Sequence, residues 1–186
     1  MKLKTLPAIL IVPGLRDHVP AHWQTLLQAK LPNAATVAPL ERDKLSCAAR
    51  VAALDAALAA IEGPVILVAH SAGVMITVHW ALRHDREIHG AVLAAPPDFE
   101  RPLPAGYPAE DVLRQNEWFP CPRQPLPFPS IVAASRNDPL AQFDRVAAMA
   151  NDWGSRLVDL GEVGHLNPAA GFGDWPMAET LIHELL

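Results

Sequence analysis

The stretch Val65-Ile66-Leu67-Val68-Ala69-His70-Ser71-Ala72-Gly73-Val74 decides how the rest of the chain is read. Its first four residues form an unbroken β-branched and leucine run, the pattern of a strand buried on both faces. From Gly73 to His84, Val74, Val78, Ala81 and Leu82 recur at helical spacing. A serine stands where strand becomes helix. So sharp a turn lifts the hydroxyl above the sheet and needs small neighbours where the backbone doubles back. It also leaves the amides of the helix N-terminus free to face a developing oxyanion. Ala72 and Gly73 supply the small residues on one side, and Ala69 occupies the first glycine position of a G-x-S-x-G pattern. Ser71 is therefore a candidate nucleophile, and the alternative is a plain capping serine in a strand–helix connection.

Working outward, short apolar runs alternate with segments of helical period. Strands are expected at Ala8–Val12, Thr36–Ala38, Val65–Val68, Gly90–Ala94, Ser130–Ala134 and Arg156–Leu160. Helices are expected at His22–Lys30, Ser46–Ile61, Gly73–His84, Gln142–Trp153 and Trp175–Leu186. The last of these has Asp174 as its cap and Pro176 in its first turn. Alternation of this kind, with near-continuous apolar strands, implies a parallel sheet covered by helices on both faces.

Composition narrows the class. The 186 residues are 51% hydrophobic with a net charge of −5, enough apolar material for a single domain, 1–186, with a sizeable core. No basic stripe of the kind that binds nucleic acid is present, and no run approaches the length of a membrane span. Met1-Lys2-Leu3-Lys4 ahead of an apolar run has the outline of a leader. Pro7 and Pro13 interrupt that run, however, and no small-residue cleavage site follows. A cytoplasmic location is expected. Cys47 and Cys121 form neither a disulfide framework nor a C-x-x-C pair. The histidines show no H-E-x-x-H or comparable spacing, so no metal and no cofactor are expected.

A serine hydroxyl needs a base, and the base needs an orienting acid. Asp138 in Ser135-Arg136-Asn137-Asp138-Pro139 follows the Ser130 strand, at the carboxyl edge where open α/β sheets bind ligands. His165 in Gly161-Glu162-Val163-Gly164-His165-Leu166 follows the last strand, in a loop whose glycines can present the ring to the same edge. His18 and His22 compete for the role of base, and Asp98 for that of acid, because all three also follow strands. The order serine, aspartate, histidine is that of an α/β-hydrolase. The backbone amides of Leu15, in the loop after the first strand, and of Ala72 are the candidate oxyanion donors. Gly14 and His70 are pocket candidates beside the serine. Among the aromatic residues Trp118 and Phe119, with Trp23, Tyr107 and Phe128, are candidates for the pocket wall.

These stretches also carry a resemblance. Val12-Pro13-Gly14-Leu15, His22-Trp23, Ala69-His70-Ser71-Ala72-Gly73, Ala94-Ala95-Pro96, the Asp138 and His165 segments, and Gly171-Phe172-Gly173-Asp174-Trp175-Pro176 are similar to those of a group of small serine hydrolases related to retinoblastoma-binding protein 9. The resemblance spans nearly the whole chain. It implies a compact three-layer α/β-hydrolase fold with about six parallel strands, and Ser71, Asp138 and His165 as catalytic residues. The implied activity is cleavage of small ester, thioester or activated amide substrates. A catalytically decayed scaffold serving as a binding module is the alternative. The family's Leu-x-Cys-x-Glu motif is not reproduced, since Leu45-Ser46-Cys47-Ala48-Ala49 ends in alanine, so no protein partner carries over.

Prolines are the remaining oddity. Ten of the 19 fall between the Gly90 and Ser130 strands. Proline fixes φ and removes a donor, so this segment, 95–129, cannot be one long helix. It is expected to lie over the active-site edge as a stiff covering in place of a large cap, with a short helix within Asp111–Trp118.

Overall fold

The computed structural model describes residues 6–186. The Met1–Lys4 segment weighed as a leader lies outside them. Six strands and six α-helices follow one another among the described residues. They are β1 (Ala8–Val12), α1 (Trp23–Lys30), β2 (Ala34–Thr36), α2 (Cys47–Ala59), β3 (Val65–His70), α3 (Ala72–Ala81), β4 (Gly90–Ala94), α4 (Glu110–Gln115), β5 (Ser130–Ala134), α5 (Phe143–Asp152), β6 (Arg156–Asp159) and α6 (Met177–His183). The strands make one sheet in the order β2-β1-β3-β4-β5-β6, parallel throughout.

Period-two alternation sends each strand's side chains to two cores. Leu10, Val12, Leu67, Ala69, Leu93 and Val132 face one core, with apolar residues of α2, α3 and α5. Ile9, Ile11, Ile66, Val68, Val92 and Ile131 face the other, with Trp23 and Leu27 of α1 and Ala178 and Leu181 of α6. The result is the compact three-layer α/β-hydrolase architecture.

Helix α3 is buried from Ala72 to Trp80, with no polar face. It is the central helix and enters the core because Gly73 lets it approach β1. A Cβ on Gly73 would lie 2.1 Å from the Val12 carbonyl oxygen and 2.8 Å from that of Pro13. Chain order reverses between β1 and β3, since β2 lies outside β1 while β3 to β6 extend the other way. β1 and β3 stay paired to Val12 and Ala69, but the connections that leave their carboxyl ends lead in opposite directions, and open α/β sheets bind ligands in the crevice at such a point. Gln24 of α1 straddles it, its Nε2 donating to the carbonyls of Val12 (3.2 Å) and Val68 (3.0 Å).

Two local expectations shift. The second strand lies at Ala34–Thr36 instead of Thr36–Ala38, with Ile9 opposite Ala34 and Ile11 opposite Thr36. It is a three-residue edge strand, so neither composition nor alternation marks it. Asp174 does not cap α6. The N-cap is Pro176 without a side-chain bond, and the Asp174 carboxylate instead pairs with Lys30 at 2.5 Å. Ser46 caps α2 as expected, accepting from the Ala49 amide at 3.2 Å.

Candidate active site

Ser71 follows β3 directly, with φ 55° and ψ −129°. A non-glycine residue at such a positive φ is strained, and the surroundings must hold it there. The hold comes from the Ser71 amide donating to the Ala94 carbonyl of β4 (3.0 Å), while the Ser71 carbonyl starts α3 by accepting from Val74 (2.9 Å). The hydroxyl is thereby raised above the strand ends.

His165 comes from the loop after β6, between two left-handed residues, Gly164 (φ 57°) and the buried Leu166 (φ 49°). Its Nε2 lies 2.8 Å from Ser71 Oγ. Its Nδ1 lies 2.8 and 3.0 Å from the two oxygens of Asp138, in the loop after β5. The Asp138 carboxylate is almost fully buried, and its Oδ1 also accepts the Leu140 amide at 2.8 Å. Ser71, His165 and Asp138 thus form one continuous chain of hydrogen bonds: hydroxyl to imidazole, imidazole N–H to carboxylate. Neither Asp98 nor His22 joins this chain. Asp98 is buried in an ion pair with Arg145 (2.7 Å), and His22 caps α1 through Nδ1 at 3.1 Å from the Gln24 amide.

Supporting bonds fix this chain. Asn137 Oδ1 accepts the Gly164 amide (2.6 Å) and the Ser135 hydroxyl (3.0 Å), and Ser135 Oγ accepts the Val163 amide (3.2 Å). The acid loop is so clamped to the histidine loop. His70 Nε2–H donates to the His165 carbonyl at 2.9 Å. Burial, with His165 and His22 nearby, pushes the His70 pKa well below the usual histidine range, so the ring is neutral.

The loop after β1 lies against the serine. A Cβ on Gly14 would come within 3.3 Å of Ser71 Cβ and 3.6 Å of Oγ. The Leu15 carbonyl is tied down by Arg50 Nη2 (3.1 Å), a guanidinium only 5% exposed that also pairs with Asp17 and donates through Nε to the Lys44 carbonyl (2.8 Å). Ala72 is the first residue of α3, so its amide has no partner within the helix. Leu15 and Ala72 thus both lie in segments that adjoin Ser71.

A cavity of about 630 Å³ opens over Ser71 and His165. Gly14, Leu15, His70 and Ala72 line it, as does Tyr107 among the aromatic candidates. Trp118 and Phe119 do not. Trp118 is fully buried in the core, its indole N–H donating to the Leu45 carbonyl (2.8 Å), and Phe119 packs on that core beneath the Arg114 guanidinium. Phe128 and Trp23 are likewise core residues. The reason lies in the path of the Pro-rich segment. Its first half, from Pro97 through Phe99, Leu103 and Tyr107 to Val112, walls the cavity. Its second half turns away to run beside α5, where Leu126 donates to the Trp153 carbonyl (2.9 Å) and Trp153 Nε1 donates to that of Pro122 (2.9 Å).

Sequence reasoning assigned nothing to Arg50, Ser135 or Asn137. Arg50 was detectable, since it falls within the apolar stripe of α2 formed by Cys47, Val51, Leu54 and Leu58. A charge in such a stripe is either buried and paired or misplaced. Among the described residues no cluster of three or more His, Cys, Asp or Glu side chains suits a metal ion.

Comparison with known proteins agrees with this architecture. Curated protein sequences gave no match. A protein from Pectobacterium atrosepticum described as a YdeN-like hydrolase superposes with a TM-score of 0.77 at 31% identity, covering 96% of this chain and 92% of that one. The ydeN product of B. subtilis follows with a TM-score of 0.76 at 17% identity, covering 97% and 98%. Est1E from Butyrivibrio proteoclasticus shares the fold at a TM-score of 0.68 and 12% identity, covering 99% and 87%. The serine hydrolase family model matches residues 9–184, and the chain belongs to that family of hydrolases.

Proposed function

We propose that the protein is a carboxylesterase-like serine hydrolase that transfers acyl groups from small ester, thioester or activated amide substrates to water. The observation that carries the reading is the unbroken hydrogen-bond chain Ser71–His165–Asp138 at the floor of a largely apolar cavity. His165 takes the Ser71 proton as the hydroxyl oxygen bonds to the acyl carbon. Asp138 holds the imidazole in the tautomer that keeps Nε2 free to accept, and stabilises the imidazolium that forms. The Leu15 and Ala72 amides stabilise the oxyanion, and each such donor is worth on the order of 10²–10³ in rate. Collapse of the tetrahedral intermediate passes the proton from His165 to the leaving group. Water, deprotonated by the same imidazole, then releases the acid from the acyl-enzyme.

The finer kinship with the group related to retinoblastoma-binding protein 9 rests on the motifs quoted above. A small-molecule substrate and a cytoplasmic location, without nucleic acid or membrane partner, rest on the acidic, stripe-free composition. Among the described residues no helix is long and apolar enough to cross a membrane. The test is labelling by a fluorophosphonate probe, which should occur in the wild type and vanish in Ser71→Ala. Undiminished labelling of Ser71→Ala overturns the assignment, and an unreactive wild type favours the decayed-scaffold reading.

A further inference from the structure

The cavity has two unlike walls. The covering segment and the loop after β1 contribute apolar side chains: Leu15, Phe99, Leu103, Val112 and, after β5, Leu140. The lining also holds a row of three histidine rings, which forms its polar wall. His22 and His70 stand 4.6 Å apart between centroids, and His70 and His165 stand 5.0 Å apart. Two members of this row have their ring protons accounted for. His165 bridges Ser71 and Asp138, and His70 donates to the His165 carbonyl. His22 has work for only one nitrogen. Its Nδ1 accepts the Gln24 amide at the start of α1, so the proton sits on Nε2. Nε2–H makes no hydrogen bond to the described residues, and His22 lines the cavity with about a tenth of its surface, 9%, still accessible.

An N–H on a cavity wall that no protein group engages is open to an acceptor from outside the chain. Burial and the neighbouring His165 lower the His22 pKa to about 4, so the ring offers a neutral N–H and not a charge. The side of the cavity matters too. His165 delivers its proton to the departing group, so the half of the substrate that leaves lies along the histidine wall and the acyl chain lies against the apolar one.

We propose that His22 selects the leaving group: its Nε2–H donates to an acceptor atom carried by the alcohol or amine half of the substrate, a few atoms beyond the bond that breaks. The favoured substrates are acyl compounds whose leaving group carries an ether, hydroxyl or carbonyl oxygen near the scissile bond. A site that offers such a donor favours a substrate with the acceptor over an isostere lacking it, by the net worth of one hydrogen bond. The proposal rests on the serine hydrolase reading above.

The experiment compares two isosteric esters of one acid, 2-methoxyethyl hexanoate and n-butyl hexanoate, in the wild type and in His22→Asn. Asparagine is among the best N-caps, so it keeps the bond to the α1 amide while its short side chain withdraws the donor from the cavity. Wild-type kcat/KM should favour the methoxyethyl ester by about three- to tenfold, the worth of one neutral hydrogen bond. In His22→Asn the ratio should fall to about one. A wild-type ratio near one overturns the assignment. So does a variant that slows both esters equally and keeps their ratio, since that is the mark of a purely structural role. A wild type that hydrolyses neither these nor p-nitrophenyl esters removes the serine hydrolase reading and the His22 assignment with it. Hydrolysis without discrimination removes only the latter.

Discussion

Replacing Gly73 by alanine adds one methyl group and, for an isolated helix, favours folding by about 1 kcal/mol through helix propensity. Here the sign reverses. The new Cβ would stand 2.1 Å from the Val12 carbonyl oxygen, 2.8 Å from that of Pro13 and 2.9 Å from the Val12 carbonyl carbon. Ordinary carbon contacts lie at about 3.5–4.0 Å. All three atoms are backbone, so no rotamer change relieves the overlap. Either α3 or β1 must move by more than about 1 Å inside a core that packs on both sides. Overpacking typically costs about 1–3 kcal/mol, and an immovable backbone obstacle belongs at the upper end. We expect a net loss of about 3 kcal/mol, read as a lowered midpoint with unchanged slope in urea unfolding. The same displacement separates Ser71 from the Leu15 loop, so fluorophosphonate labelling should slow by at least the 10²-fold associated with a lost oxyanion donor. Gly173→Ala is the control: its φ is not positive, and the added atom would meet only ordinary contacts at 3.7 and 3.8 Å. A Gly73→Ala protein with wild-type midpoint and wild-type labelling rate would refute the argument that this close approach builds the site.

Two further outcomes are expected. Burial lowers His22 and His79 to about 4, with His165 adding to the effect at His22 and Arg83 at His79. The unfolded chain protonates these groups near 6.5 and the folded one near 4, so stability is flat above that range and falls as pH drops from about 6.5 to 4. By linkage each contributes about 2 kcal/mol of loss at pH 5. Urea midpoints between pH 7.5 and 5 check this, and a His22→Asn, His79→Gln double variant that declines as steeply as the wild type refutes it. Arg145→Ala strands the Asp98 carboxylate, which is 2% exposed and keeps only the Glu100 amide at 3.2 Å. Breaking a buried pair costs about 3–5 kcal/mol, and the partial exposure of Arg145 sets the expected loss near 3. A loss under about 1 kcal/mol in the same titration contradicts it.

The parts of the fold that were legible in the sequence share one physical trait: they are buried on both sides. Ala8–Val12, Gly90–Ala94 and Ser130–Ala134 lie where their apolar runs put them, because a strand packed between two helical layers has no room for polar alternation. The edge strand Ala34–Thr36 has little burial to record, and its position is settled by pairing with β1. The serine, its histidine and its aspartate were legible because each follows a strand at the same sheet edge. Trp118 and Phe119 were misplaced for the opposite reason. Proline content says that a segment is not a helix, but not where it goes, and the path of residues 118–129 is set by contacts with Leu45 and Trp153 that are distant in sequence. Asn137 acts through a backbone atom of another loop, which no residue pattern announces, whereas Arg50 is marked by its place in the apolar stripe of α2 but its carbonyl partner on Leu15 is not.

The split course of the Pro-rich segment has a consequence for how such a protein can change. Residues 97–112 supply the apolar wall yet make no hydrogen bond to Ser71, His165 or Asp138, while residues 118–129 are built into the core beside α5. The apolar wall can therefore be exchanged like the jaw of a tool whose handle stays fixed. Substitutions from Leu103 to Val112 can reshape the cavity without disturbing Ser71, His165 or Asp138, whereas Phe99 packs on Trp118 and belongs with the core. The same substitutions past Trp118 would instead be felt as lost stability. A library aimed at new substrates belongs between Leu103 and Val112 and nowhere else in the segment.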